Sequence, residues 1–136
     1  MALLKSLVLL ALLPVVAAAQ VANPAVMQDN IQQTICVSGW TKTVRPSLAR
    51  LKRAYLHQAG LPSSDAALYE LDHVIPIEVG GAPRDPNNLQ LQKWDGPNGA
   101  HTKDVVENRI HRAVCTGRMT LAAGRACFVQ GWQTCP

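Results

Sequence analysis

The chain has 136 residues, of which 48% are hydrophobic, and a formal net charge of +4 at pH 7. Its length predicts one domain rather than several, because domains cluster at roughly 100 to 150 residues. The basic balance fits a polyanionic partner, but charge alone does not identify one.

The first 19 residues have the pattern of a secretory signal peptide. Lys5 gives a positive n-region, residues 7–16 an apolar h-region, and residues 17–19 a small-residue cleavage site. The apolar run is too short to predict a membrane span. We therefore predict cleavage after Ala19, export to the periplasm or the medium, and a mature domain over residues 20–136 without stable membrane association.

The cysteines predict covalent cross-links. They are Cys36, Cys115, Cys127 and Cys135. An even number in an exported chain favours two disulfides, and the lack of close pairs such as CxxC argues against a structural zinc site. Three pairings are possible. We favour Cys36 with Cys115, which would tie the N-terminal segment to a helix, and Cys127 with Cys135, which would fix the tail.

The N-terminal half predicts two helices and a short extended piece. Apolar residues at helical spacing, with Pro24 at the first turn, predict a helix over residues 24–35. Residues 41–44 are partly β-branched and predict an extended segment. Ser47 is a suitable N-cap for a second helix, which ends at Gly60.

The C-terminal half predicts two strands followed by two helices. Residues 69–74 and 89–92 predict the strands, and the connection between them is rich in turn residues. A helix of about four turns is predicted over residues 102–116. Thr120 is the predicted N-cap of a last helix over residues 121–130.

The long helix has an apolar and a polar face. The predicted buried face consists of Val106, Ile110, Ala113 and Val114. The predicted opposite face consists of His101, Asp104, Asn108 and His111, with Lys103 and Glu107 on its flank. This polar stripe is equally consistent with a functional surface and with a solvated helix face.

Asp72 and His73 are the first candidates for chemistry. Phosphodiester hydrolysis needs a general base and a cation, and histidine titrates near neutral pH while carboxylate oxygens suit hard divalent ions. Adjacent strand residues point to opposite faces, so the two share a site only if the strand ends or bulges between them. Pro76, which disrupts regular pairing, favours such a break.

The order of these residues resembles the HNH nuclease family, also called the ββα-metal superfamily. The matching positions are Asp72-His73, the Gly80-Gly81 turn and Asn88. The resemblance implies an α+β fold with a small ββα-metal core, here flanked by helices and braced by disulfides.

Sequence outside this core narrows the resemblance. The chain is similar to small exported HNH-like bacterial proteins that carry an Ile-Cys-x-x-Gly-Trp segment before the core, here residues 35–40. They also carry a Lys-Asp-x-x-Glu-Asn helix, here residues 103–108.

The resemblance implies roles for individual residues. His73 matches the general base and Asp72 the first ligand of one divalent metal ion, Mg²⁺, Mn²⁺ or Zn²⁺. Asn88 matches the residue that ties the loop between the strands and positions the base. The third family position departs from the pattern, because the usual interval ends near Asn98, before the predicted helix. His101 is favoured as the helical metal ligand, ahead of Asn108.

The implied activity is a metal-dependent endonuclease that acts as a monomer, with DNA favoured over RNA as substrate. Lys103, Arg109 and Arg112 are the predicted phosphate contacts, which add affinity without sequence preference. One alternative is a non-catalytic module on the same scaffold that binds nucleic acid or protein. Another is a structural or inhibitory envelope protein whose basic residues serve solubility.

Overall fold

The computed structural model describes residues 21–136, so the predicted signal peptide and its cleavage site lie outside the described residues. The α-helices of this part are α1 (Trp40–Val44), α2 (Ala49–Gln58), α3 (Ala100–Cys115) and α4 (Leu121–Gly131). The strands are β1 (Tyr69–His73) and β2 (Leu89–Lys93). Short 3-10 helices cover Gln28–Gln33, Ser63–Leu68, Ile77–Val79, Pro86–Asn88 and Trp132–Thr134. Over residues 21–136, no helix combines the length and the apolarity required to cross a bilayer.

Two predictions in the N-terminal segment are wrong in detail. The helix predicted over residues 24–35 is reduced to the 3-10 helix Gln28–Gln33. The residues just before it are fixed by the loop between the strands, because Ala22 bridges to Gly81 and the Asn23 N–H donates to the Gly80 carbonyl. Residues 41–44 belong to α1 and are not extended. Gly39 supports this helix by taking a left-handed conformation (φ 83°) at its start.

The two strands form an antiparallel pair with an uninterrupted register. The register runs from Tyr69 opposite Lys93 to His73 opposite Leu89, with Asp72 opposite Gln90. The predicted break between Asp72 and His73 is therefore absent. Because the pleat continues through both residues, their side chains leave the strand on opposite faces.

The two helices after the sheet begin and end close to their predicted limits. α3 stops at Cys115 and is followed by Gly117 in a left-handed conformation (φ 74°). α4 begins after Thr120, whose hydroxyl accepts a hydrogen bond from the Ala123 N–H. α3 packs against α4 and against the 3-10 helix Ile77–Val79 of the loop between the strands.

A hydrophobic core joins the N-terminal segment, the loop between the strands and the last two helices. It includes Val21, Val26, Ile31, Ile35, Ile75, Val79, Val106, Ile110, Val114, Leu121 and Phe128. The predicted disulfides Cys36–Cys115 and Cys127–Cys135 are both present. The α+β class is thus confirmed, with the predicted order of strand, loop, strand and helix. The assignment of this unit to the HNH core stays a prediction.

Candidate active site

The loop between the strands is organised around the buried side chain of Asn88. Its Oδ1 accepts from the Ile75 N–H at 2.8 Å, and its Nδ2 donates to the carbonyls of Ile75 at 3.0 Å and Ala82 at 2.9 Å. One amide therefore satisfies three backbone groups from the start and the middle of the loop. The contacts that the resemblance implies between the Asn88 side chain and the loop are therefore present.

The glycine pair permits a close backbone approach in this loop. A Cβ on Gly81 would lie 1.8 Å from the Ile75 carbonyl oxygen and 2.9 Å from Asn88 Nδ2. Gly80 has a φ of 76°, which side chains disfavour. The glycines thus allow the loop to fold tightly beside the end of β1.

His73 is held by the same loop. Its side chain is buried, and Nε2 lies 3.0 Å from the Pro83 carbonyl oxygen. A carbonyl only accepts, so Nε2 carries the hydrogen of the neutral ring and Nδ1 keeps its lone pair. Burial lowers the pKa of His73 below its ordinary value, although the Pro83 hydrogen bond and the Asp72 charge oppose this shift. The ring is therefore neutral around pH 7, with Nδ1 unprotonated.

Asp72 leaves the strand on the other face and meets the side chain of Lys103. Lys103 Nζ donates to Asp72 Oδ2 at 2.6 Å, to the His73 carbonyl oxygen at 2.7 Å and to Glu107 Oε1 at 2.5 Å. Three acceptors use all three hydrogens of the ammonium. Lys103 and Glu107, which were predicted to lie on the flank of the polar face, therefore face the sheet.

Lys103 is fully buried, at 0% exposure, which corrects the prediction that it contacts phosphate from the surface. The helical repeat gives the reason. Residues separated by three, seven and eleven positions lie on one side of a helix, so Lys103 continues the row of Val106, Ile110 and Val114. Its ammonium passes below the sheet and approaches the Phe128 ring, 5.8 Å from the centroid.

Glu107 and Glu70, two of the acids near Lys103, have raised pKa values. Burial, with the charge of Asp72 and Glu78 acting in the same direction, raises the pKa of Glu107 to about 8, against the opposing effect of Lys103. Burial and the charges of Asp72 and Asp104 raise the pKa of Glu70 to about 7. One buried ammonium between two carboxylates leaves an excess negative charge, which a proton on Glu107 removes.

Burial also raises the pKa values of two further acids, Glu78 and Asp104. Lys103 opposes both shifts, and so does Arg45, an exposed residue in electrostatic range of His73 as well. In the sequence, Arg45 belongs to a cluster of basic residues before the Asp72-His73 stretch, which was predicted to be able to contact phosphates.

The predicted metal ligands Asp72, His101 and Asn108 do not form a ligand set in this structure. His101 is 64% exposed, its Nδ1 lies 3.1 Å from Asp95 Oδ1, and its ring packs on Trp94. Asn108 Nδ2 donates to the Asp104 carbonyl. Since each residue rotates a helix by about 100°, His101 and Asn108 lie roughly 140° to 160° around α3 from Lys103, which meets Asp72. The residues therefore do not fit the implied ion.

Another cluster has the composition of a metal site. Ligand atoms of Cys36, His111 and Cys115 lie within 4.8 Å of one another, the only such group of His, Cys, Asp or Glu found over residues 21–136. Both sulfurs are joined in the disulfide, however, and His111 Nε2 lies 2.9 Å from the Ile35 carbonyl oxygen. Thiolates are the metal-binding form of cysteine, so the oxidised chain offers only the imidazole.

The two predicted arginine contacts lie on the surface of α3. Arg109 donates from Nε to the Pro136 carbonyl and from Nη2 to the Cys135 carbonyl, so its guanidinium holds the C-terminal residues. Arg112 is exposed. Their contact with nucleic acid stays a prediction.

A cavity of about 420 Å³ opens between β2 and the end of α4. Its polar side chains are mostly amides, and Gln92 Oε1 is buried there without a hydrogen-bond partner. Phe128 forms part of its wall and also lies against Lys103, so the cavity adjoins the buried cluster. Asp72 and His73 do not line it.

Comparison of the chain with protein-family models, curated proteins and solved structures finds no match.

Proposed function

We propose that the mature chain is an endonuclease that hydrolyses phosphodiester bonds, with His73 as the general base. DNA is the favoured substrate and RNA the alternative. The observation that supports this proposal is the state of His73: a neutral, low-pKa imidazole fixed through Nε2 to Pro83, at the end of the first strand of a ββα unit.

In the proposed reaction, His73 Nδ1 takes a proton from a water molecule as the water oxygen attacks phosphorus. The bond between phosphorus and the leaving oxygen breaks, that oxygen takes a proton from solvent water, and His73 then returns its proton to solvent. Positive charge near the phosphate comes from Arg45, whose charge acts on His73. The amide-lined cavity beside β2 suits hydrogen bonding to a neighbouring nucleobase.

The resemblance implies a divalent ion, Mg²⁺, Mn²⁺ or Zn²⁺, that would polarise the phosphate when bound. Because Asp72, His101 and Asn108 do not converge, no step is assigned to such an ion. Whether cleavage depends on each of these ions is a question for experiment.

The test is cleavage of plasmid DNA, single-stranded DNA and RNA by the purified mature protein, with each ion and with EDTA. His73→Ala is expected to lower the cleavage rate by about 10² to 10⁴, because the general base is lost. The control is His57→Ala, which removes an exposed imidazole on α2. Equal cleavage by the wild type and His73→Ala, or no cleavage of any substrate, would remove the proposal.

The pH dependence provides a second measurement. Since burial lowers the pKa of His73 from 6.5, the acidic limb of the rate profile should have its midpoint below pH 6.5.

A non-catalytic nucleic-acid- or protein-binding module is the second candidate. It is favoured by the pairing of Asp72 with Lys103, which occupies the carboxylate expected to hold the metal. Such a module would bind DNA in a salt-dependent way and would show neither cleavage nor an effect of Asp72→Asn on affinity. Fluorescence anisotropy with labelled DNA at 50 and 200 mM salt measures the binding, and the cleavage assay separates the two candidates.

The proposed location is outside the cytosol, in the periplasm or the medium. Two disulfides among the described residues fit an oxidising compartment, where such bonds form and persist.

A further inference from the structure

The inference concerns the oxygen atoms around Lys103 Nζ. They are Asp72 Oδ2, the His73 carbonyl oxygen and Glu107 Oε1, at 2.5 to 2.7 Å. Two come from β1 and one from α3, so the cluster forms only when the sheet and the helix pack together. Carboxylate and carbonyl oxygens are the ligands that hard divalent cations use, at distances of about 2.0 to 2.6 Å.

We propose that the Lys103 ammonium is the resident cation of this oxygen cluster and takes the place that a divalent ion would occupy. The ammonium and an ion cannot share the position, because each requires the same three oxygens. The folded wild-type chain therefore binds no divalent ion here. Removal of the ammonium creates a site for an oxygen-preferring ion such as Mn²⁺ or Ca²⁺.

Burial supports this assignment. The Lys103 side chain is completely buried, and those of Asp72 and Glu107 are only 11% and 13% exposed. Two carboxyl groups buried together can both ionise only at a large cost unless a cation lies between them. All three hydrogens of the ammonium are donated to these oxygens, so the nitrogen is fully hydrogen-bonded in the cluster.

The attachment of the ammonium supports it as well. Lys103 lies in the inward row of α3, and its backbone N–H donates to the Gly99 carbonyl in the first turn. The Phe128 ring lies against the ammonium on another side. The position of Lys103 is thus fixed by the backbone of a packed helix.

The experiment compares metal binding by wild type, Lys103→Ala and Lys103→Met, measured by thermal unfolding and calorimetry with Mn²⁺, Ca²⁺ and Mg²⁺. Lys103→Ala is expected to have a lower Tm than wild type and to recover on the order of 10 °C at a metal concentration about 100 times its Kd. Lys103→Met fills the same space without charge, so its Tm should not respond. Asp72→Asn added to Lys103→Ala should abolish the recovery.

Two results obtained with folded protein would overturn the proposal. One is saturable binding of Mn²⁺ or Ca²⁺ by the wild type that Asp72→Asn removes. The other is a Lys103→Ala protein whose Tm is independent of metal. If Lys103→Ala is unfolded without metal, circular dichroism should show folding upon addition of Mn²⁺, and a chain that stays unfolded at every concentration also contradicts it. These measurements require no nuclease activity, so they are independent of the proposed function.

Discussion

At the scale of single residues, Glu107 has the most unusual environment among the acids near Lys103. Its carboxyl is buried and shares one ammonium with Asp72, and its pKa is about 8. In the unfolded chain the pKa is 4.5. The folded state therefore binds more protons between these two pH values, and the contribution of Glu107 to stability falls as the pH rises from about 4.5 to about 8.

The direction of this pH dependence gives a testable prediction for Glu107→Gln, which removes the titrating group and keeps the shape of the side chain. The free energy of unfolding of the variant, relative to wild type, should increase by a few kcal/mol between pH 4.5 and pH 9. Urea unfolding at several pH values measures it. Asp29→Asn, at an exposed position, is the control and should leave the slope unchanged. A pH profile of Glu107→Gln parallel to that of wild type would contradict the prediction.

At the scale of elements, the loop between the strands depends on Asn88. Asn88→Ala removes three hydrogen bonds and leaves three backbone groups without their partner, so the free energy of unfolding should fall by about 2 to 4 kcal/mol. The matched control is Asn87→Ala, since Asn87 is the exposed neighbour. Urea unfolding compares the two variants. Equal stability of both would show that the amide does not hold the loop.

Those elements whose patterns are local were predictable. β1, β2, α3 and α4 follow from apolar periodicity and from turn residues, and the N-cap Thr120 is read directly from the sequence. The helix over residues 24–35 was predicted too long, because the residues just before it, Ala22 and Asn23, pair with a loop about 60 positions later in the chain. That pairing leaves no local signal.

The site was only partly predictable for the same reason. Asn88 was correctly expected to tie the loop. Lys103 was placed on the helix flank because a lysine counts as polar in a hydrophobic pattern. Its position three residues before Val106 and seven before Ile110 was the available signal, but its partner Asp72 lies 31 residues earlier. A buried ion pair depends on tertiary contacts, which cannot be predicted from hydrophobic periodicity.

At the scale of the whole molecule, the two disulfides should differ in their effect on stability. Cys36–Cys115 joins residues 79 positions apart, whereas Cys127–Cys135 joins residues 8 apart. In the chain-entropy model, removing the long link costs about 4 to 5 kcal/mol and removing the short one about 2 to 3 kcal/mol. Urea unfolding of the two paired Cys→Ala variants tests this difference. A larger loss for the Cys127 and Cys135 pair would contradict it.

The position of His111 beside the longer disulfide has a practical consequence for purification. A thiol reductant would release two sulfurs next to an imidazole, and these three donors together favour zinc. Protein prepared in dithiothreitol with trace zinc is then expected to carry an ion at this cluster. The metal content of such a sample would reflect reduction of the disulfide during preparation, so assays should use fully oxidised protein.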